Sequence, residues 1–317
     1  MKILSTVKLP AYLKEELEKE FPEDHFTFDK KINKVQKEIA ETEVILTYGE
    51  DLSAEIIGQA KKLKWVMVAS AGMDKLPFEA LIDKNVLVTN AKGVHKIPMA
   101  EYTISMMLQI SRESQQLAAN QQARKWDRRV QMHELHGKTI FILGAGAIGT
   151  EIARLSKAFG MKTIGMNTSG RSVEFFDEIH IFSRLEEGMK KADFVVSVLP
   201  STKDTKELLD YKTFQWMKPD SIFINIGRGD AVCESDLVKA LNEGIVKHAV
   251  LDVFAEEPLK EDHPFWGMEN VTVTPHLSGI TKNYLPRAMD IFKRNLVFYK
   301  DGSHSSMENV IKLEQGY

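Results

Sequence analysis

The sequence predicts an α/β protein built from two doubly wound parallel sheets, and three observations carry that prediction. Short apolar or β-branched runs alternate with amphipathic segments through the first ninety residues. A second series of such runs extends from Thr139 to about Thr274. Within it, a glycine-rich turn, Gly144 to Gly149, follows one strand pattern directly and opens a helix pattern. Alternation of strand and helix favours a parallel sheet, because each crossover helix returns the chain to the same end of the sheet and covers one face. The 317 residues fit two ordinary domains of roughly 100 to 200 residues each.

In the first series, Ile3 to Val7 reads as a strand. Ala11 to Glu20 then places Leu13 and Leu17, with Phe21 just beyond, at helical spacing. Phe26 to Phe28, Glu43 to Thr47, Trp65 to Ala69 and Val86 to Thr89 continue the strands, with a helix expected over Ala54 to Lys62. A long helical pattern runs from Pro98 to about Gln116, with Pro98 at its start, where a missing N–H costs nothing. Asn120 to Gly137 is polar and aperiodic and carries Trp126 between charges, which reads as a long loop or as an arm that packs on another subunit. The second series contains six strand runs: 139–143, 163–166, 194–199, 221–226, 248–252 and 271–274. Five crossings separate them, the count of a doubly wound sheet of Rossmann type. The tail from Lys282 to Val297 turns helical again and is too short to fold alone, so it is expected to pack back on the first domain.

Hydrophobic residues make up 43% and charged residues 27%, an ordinary globular composition that excludes a disordered, collagen-like or disulfide-scaffold chain. Lysine and arginine number 42 against 45 acidic residues, giving a net charge of −3 and a pI near 6.3. That balance offers no footprint for nucleic acid or an anionic membrane. The single cysteine, Cys233, cannot close an intramolecular disulfide and fits a reducing compartment. The N-terminus MKILSTVKLP lacks the apolar core of a signal peptide, and no apolar run approaches the roughly 20 residues that span a bilayer. A cytoplasmic location is therefore expected.

Gly144-Ala145-Gly146-Ala147-Ile148-Gly149 has the spacing G-x-G-x-x-G between strand and helix. Its glycines suit a tight turn, close backbone approach to a pyrophosphate and close packing of helix on strand, while the helix N-terminus supplies positive potential. The strand ending at Met166 should reach the adenosine ribose, where an NAD site commonly places a carboxylate. Asn167, Thr168, Ser169, Gly170 and Arg171 stand there instead, and no carboxylate occurs from Gly160 to Val173. A hydroxyl pair and an arginine suit a 2′-phosphate, which predicts NADP(H) in preference to NAD(H). The alternative is that Asn167 bonds a plain ribose and Arg171 is solvated.

Later strands end in three further groups of polar residues: Ile226-Gly227-Arg228-Gly229, Asp252 through Glu256-Glu257-Pro258, and Thr274-Pro275-His276. With Thr89-Asn90, Ala100-Glu101, Leu135 to Thr139, Leu199-Pro200-Ser201-Thr202 and Met217-Lys218-Pro219, these motifs resemble the D-isomer-specific 2-hydroxyacid dehydrogenase family over nearly the whole chain. The resemblance implies a Rossmann cofactor domain, 98–282, inserted into a discontinuous flavodoxin-like substrate domain, 1–97 with 283–317. It also implies a homodimer that reduces a small 2-keto acid such as glyoxylate or hydroxypyruvate to a D-2-hydroxy acid. By motif, Arg228 is similar to the family's substrate-binding arginine, Glu257 to its paired acid and His276 to its proton donor and acceptor. A positioned imidazolium would remove the charge growing on the carbonyl oxygen, which is worth roughly 10² to 10⁴ in rate. A carboxylate beside it fixes the tautomer, and an arginine can grip a carboxylate through two parallel N–H bonds.

Glu256 competes with Glu257 for the paired-acid role, and Asp252 reads as a structural or nicotinamide-side residue. The cofactor is further expected to meet Pro200, Thr205, Ile226, Gly227, Asp252 and His276. Ser70-Ala71-Gly72 stands where the family carries a Gly-x-Gly loop for the substrate carboxylate, with serine replacing the first glycine. Lys92, Gly93 and His95 are further cleft candidates. The histidines show no ligand spacing, so no metal is expected. A phosphoglycerate-type dehydrogenase is the nearest alternative, and a non-catalytic dinucleotide sensor or corepressor of the same fold is the alternative from another class.

Overall fold

The computed structural model describes residues 1–29, 36–73 and 76–313. The chain divides into two compact units, Met1–Val94 together with Thr281–Tyr317, and His95–Ile280.

The first unit is a five-stranded sheet of β1 (Lys2–Ser5), β2 (His25–Phe28), β3 (Val44–Thr47), β4 (Trp65–Val68) and β5 (Leu87–Asn90), in the order β2-β1-β3-β4-β5. All its ladders are parallel, the flavodoxin-like arrangement. β3 and β4 are buried on both faces, and this is why they read as continuous apolar runs and not as alternating ones. Helices α1 (Ala11–Glu20), α2 (Gln36–Ile39), α3 (Ala54–Gln59) and α4 (Phe78–Asp83) link the strands. The sequence reading did not include α4, whose six residues are too few to establish a helical period.

In the second unit, α5 (Lys96–Ser111) and α6 (Ser114–Gln122) replace the single helix expected from Pro98. The break falls at Glu113, whose backbone is left-handed at φ +53°. Pro98 sits inside the first turn of α5, where its missing N–H still leaves no intrahelical bond unmade. Trp126, beyond α6, is 92% exposed. The sheet comprises β6 (Thr139–Leu143), β7 (Lys162–Met166), β8 (Glu178–His180), β9 (Phe194–Ser197), β10 (Ile222–Asn225), β11 (His248–Leu251) and β12 (Val271–Val273), in the order β12-β11-β10-β9-β6-β7-β8. Helices α7 (Ala147–Ala158), α8 (Leu185–Lys191), α9 (Tyr211–Phe214) and α10 (Glu234–Asn242) accompany it.

Seven strands stand where the sequence suggested six. The additional β8 is three residues long and pairs Met166 with His180, and a run that short carries no period. The order in which strands are added reverses between β6 and β9, the switch point beside which doubly wound folds bind ligands.

The final helix, α11 (Tyr284–Lys300), belongs to the first unit. Its Phe292 and Tyr299 both stack on the fully buried Trp65 at 5.3 Å. The indole N–H of Trp65 donates to Thr89 Oγ1 at 3.0 Å, so the largest apolar side chain in that core leaves no polar atom unpaired. Farther along, Ile311 N donates to Val88 O at 2.9 Å, and Thr89 and Val310 form an antiparallel bridge, which extends the sheet edge. No helix among the described residues is long and apolar enough to cross a membrane.

His248 opens β11 with Nε2 2.9 Å from Thr272 Oγ1. Burial, reinforced by the charge of Lys247, pushes its pKa down to about 4. The unfolded chain therefore takes up a proton near pH 6.5 that the folded chain refuses until about pH 4. Its contribution to stability is complete above pH 6.5 and is lost as the pH falls through that window, amounting to about 3 kcal/mol. Urea midpoints at pH 7 and pH 4.5 should fall less in His248→Asn than in the parent; an equal fall in both would remove His248 from the acid response.

Candidate active site

The parallel strands deliver their C-terminal ends to one edge, and the polar residues singled out in the second unit lie on the loops that follow. After β6, Gly144 N and Ala145 N donate to Met166 O at 3.1 and 2.8 Å, which ties the glycine turn to β7. Gly149 has no room for a side chain, since a Cβ there would lie 2.1 Å from Gly144 O. Gly146, the residue that caps α7, is the opposite case: a Cβ there would meet nothing within 4 Å. No contact within the chain calls for glycine at that position, so the open space it leaves fits a group from outside. The first-turn N–H groups of α7, those of Ala147, Ile148 and Gly149, lack intrahelical partners and carry the positive end of the helix dipole. These features fit a pyrophosphate.

After β7, Asn167 organises the adjoining loop. Its Oδ1 accepts from Gly170 N at 2.7 Å and its Nδ2 donates to Arg171 O at 3.0 Å, which leaves Thr168, Ser169 and Arg171 exposed. Among the described residues Arg171 makes no ion pair. Asn167 N also donates to His180 O at 3.1 Å, so the overlooked strand β8 supports this loop. The fully buried His180 faces Arg184 O and Glu178 Oε2, both at 3.2 Å. Only the pairing of strands shows that connection; a Glu-Ile-His triplet gives no sign of it.

On the loop after β9, Thr205 is buried and donates its hydroxyl to Pro200 O at 2.6 Å, so it shapes the loop with its own side chain. After β10, Ile226 and Gly227 are buried and Arg228 is exposed. Asn225 makes the turn: its Oδ1 accepts from Gly227 N at 3.2 Å and its Nδ2 donates to Arg228 O at 3.0 Å. Arg228 Nη1 donates to Gly227 O at 2.9 Å, and the guanidinium forms no ion pair among the described residues. Gly229 lets this loop lie against the next, since a Cβ there would fall 1.8 Å from the Phe254 carbonyl carbon.

The last two loops bring the acid and the imidazole together. His276 Nδ1 lies 2.8 Å from Glu257 Oε2, and Glu257 Oε1 accepts from Phe254 N at 3.0 Å. The neighbouring Glu256 instead pairs with Lys260 at 2.7 Å. Asp252 is fully buried, and its carboxylate is used within the turn, accepting from Thr274 Oγ1, Leu277 N and Ser278 N. His95, at the start of α5, places Nδ1 3.3 Å from Gly279 O. Burial, helped by the positive charges of Arg228 and His276, holds His95 below the ordinary histidine value against the opposing pull of that hydrogen bond. Ser70, Ala71 and Gly72 follow β4 in the first unit. There the Ser70 hydroxyl donates to Gly72 O at 2.7 Å and Asn90 Nδ2 donates to Ala71 O at 2.9 Å.

A doubly wound sheet with an open glycine at its phosphate turn, and with an arginine and a carboxylate-paired histidine on the same edge, defines a dinucleotide-binding domain equipped for proton transfer. A family model, D-isomer specific 2-hydroxyacid dehydrogenase, NAD binding domain, matches residues 104–278. The chain is 32% identical over 315 residues to a glyoxylate reductase of Thermococcus onnurineus, spanning 95% of this chain and 93% of that one. A D-isomer specific 2-hydroxyacid dehydrogenase family protein from Aeromonas salmonicida has a crystal structure similar to this one, with TM-score 0.85 and 32% identity over 98% of this chain and 99% of the other. The NADPH-dependent glyoxylate/hydroxypyruvate reductase of Sinorhizobium meliloti, solved with NADP and sulfate, gives a TM-score of 0.80 at 26% identity over 100% and 99%. The chain belongs to the D-isomer specific 2-hydroxyacid dehydrogenase family and is an NAD(P)-dependent oxidoreductase.

The two glycines of the phosphate turn should separate on substitution. Gly146→Ala is expected to leave the melting temperature within about 2 °C of the parent while weakening dinucleotide binding at least about tenfold, because its methyl enters only the open space. Gly149→Ala is expected to destabilise the fold itself, since the collision is with backbone. Thermal melts and dinucleotide titrations of the two variants check this, and unchanged binding in Gly146→Ala would contradict it.

Proposed function

We propose that the protein reduces small 2-keto acids of the glyoxylate and hydroxypyruvate type to D-2-hydroxy acids, reversibly and with NADP(H) in preference to NAD(H). The contact of His276 Nδ1 with Glu257 Oε2 at 2.8 Å is the observation that carries this reading. A carboxylate can only accept, so Nδ1 is the donor, and Nε2 is the ring atom left to exchange a proton with the substrate oxygen. A bound nicotinamide supplies the hydride. Arg228 grips the substrate carboxylate or polarises its carbonyl, and its guanidinium has no competing carboxylate among the described residues. His276 gives its Nε2 proton to the carbonyl oxygen as charge develops there, and Glu257 stabilises the imidazolium that precedes this transfer. Backbone N–H groups of the Ser70–Gly72 loop are the proposed further donors to the substrate carboxylate.

The preference for NADP(H) rests on the loop from Asn167 to Arg171, which presents hydroxyls and an arginine without a carboxylate. The 2′-phosphate is assigned to Thr168, Ser169 and Arg171, with Asn167 as the residue that holds their loop. The reading includes a cytoplasmic homodimer in which the arm around Trp126, almost wholly exposed in the single chain, is covered by a second copy.

The test is cofactor oxidation over a panel of 2-keto acids that includes glyoxylate, hydroxypyruvate, pyruvate and phosphohydroxypyruvate. Turnover is expected with the first two. His276→Ala should lower kcat at least about a hundredfold without abolishing NADPH binding. Arg171→Ala should raise the KM for NADPH about tenfold with little change for NADH. Silence across the panel with tight NADPH binding would replace the enzyme reading with a sensor, and a lower KM for NADH in the parent would overturn the cofactor preference.

A further inference from the structure

His276 occupies a costly backbone conformation, and what holds it there is a chain of hydrogen bonds that reaches a distant helix. Its φ is +51°, in the left-handed region that a non-glycine residue enters at a cost of roughly 1 kcal/mol or more. The turn is fastened on both sides to Asp252. His276 N donates to Asp252 O at 2.9 Å, and Leu277 N and Ser278 N donate to the two carboxylate oxygens, each at 2.9 Å. The same carboxylate accepts from Thr274 Oγ1 at 2.6 Å. A hydroxyl has one proton, and an ionised carboxylate can only accept, so Thr274 gives its proton to Asp252. Thr274 Oγ1 is then an acceptor towards Tyr102 Oη, 2.6 Å away. The donor order is thus fixed from end to end, running from Tyr102 on α5 through Thr274 and Asp252 to the backbone that frames His276. Burial pushes the Tyr102 phenol up to about 12, which keeps it a donor at any working pH.

We propose that Tyr102 is a positioning residue of the reaction, anchoring through Thr274 and Asp252 the turn that presents the His276 imidazole to Glu257. The inference rests on the reading of His276 as the proton donor, but its subject is a residue with no direct part in the chemistry. Tyr102 touches neither His276 nor Glu257 by hydrogen bond; it acts by leaving Thr274 a single orientation, and hence Asp252 a full set of donors. Removal of the phenol hydroxyl frees the threonine hydroxyl to rotate. The buried carboxylate then loses a fixed short bond, and the left-handed turn loses part of what compensates its cost.

The experiment uses the full chain with Tyr102→Phe, Thr274→Val and Thr274→Ser. It reads kcat and KM with glyoxylate and NADPH, the pH profile of kcat, and the ring resonances of His276 in labelled protein titrated with acid. Glu257 pairs with that ring, and His95, on which the charges of Arg228 and His276 both bear, is the other titratable group close to it. Tyr102→Phe is expected to lower kcat about 5- to 20-fold at constant KM for NADPH, to shift the limb of the pH profile, and to move the His276 titration midpoint in the same direction. Thr274→Val should do so more strongly, and Thr274→Ser, which keeps the hydroxyl, should restore most of the parental behaviour. A lowered melting temperature in Tyr102→Phe with unchanged kcat, pH profile and ring resonances would overturn the proposal and leave Tyr102 a purely structural residue. The ring resonances do not depend on turnover. A Tyr102-dependent ring shift alongside undiminished activity in His276→Ala would reject the catalytic reading while sustaining the positioning one.

Discussion

Everything the second unit brings to its candidate site depends on the parallel run of its seven strands. A parallel sheet puts every C-terminal strand end on one edge, so residues as far apart in sequence as Gly144 and His276 arrive together without a dedicated contact between them. The ladder also continues one step past several strand ends. Val198 N donates to Leu143 O, Ile226 N to Ser197 O, Asp252 N to Asn225 O and Thr274 N to Leu251 O, all between 2.9 and 3.1 Å. Each loop therefore departs from a backbone position that its neighbour has already fixed. The sheet is enclosed by apolar side chains such as Phe141, Val195, Phe223 and Ala249, all fully buried, which gives these departures a rigid base.

Buried polar residues at the strand ends convert that base into loop conformation. Asn225 ends β10 and Asp252 directly follows β11, both with almost no exposure, and left unpaired each would cost several kcal/mol. Each is paired instead by the loop that follows or the loop beside it: Asn225 by Gly227 and Arg228, Asp252 by Thr274, Leu277 and Ser278. The penalty for losing these bonds is what selects one conformation of each turn. Arg228, Glu257 and His276, which stand exposed above, need not be held by burial of their own. Two layers of residues result, a sealed one that fixes the turns and an open one that carries the proposed site groups.

This division explains what the amino-acid sequence disclosed and what it did not. The strands were legible because burial on both faces produces apolar runs such as TIFIL and SIFINI. The glycine turn and the Arg, Glu and His segments were legible because their residue types are unusual at strand ends. Local spacing does not separate Glu256 from Glu257; geometry does, since one faces Lys260 and the other His276. β8 was missed because three residues contain no period, and with it the support that His180 gives the Asn167 loop. The break at Glu113 was missed because the helical pattern continues across it, while a left-handed residue interrupts only the backbone. Tyr102 was invisible for another reason: its partner lies 172 residues away, and nothing near it in sequence hints at the bond.

Charge is placed by the same geometry. At the N-terminal edge of the larger sheet three cations are matched: Lys157 with Asp177, Lys191 with Glu178 at 2.8 Å and Lys218 with Asp193 at 3.0 Å. Asp193 and Asp177 also accept from Thr139 N and Thr163 N, so these carboxylates are committed to starting β6 and β7. At the C-terminal edge Arg171 and Arg228 have no ion-pair partner among the described residues, and the N-terminus of α7 adds its partial positive charge. A chain with a net charge of −3 can thus still present unpaired positive charge at the edge that carries the candidate site. Attraction of an anionic cofactor and an anionic substrate then requires no overall basic charge, because the field near a site is set by which charges lack partners there.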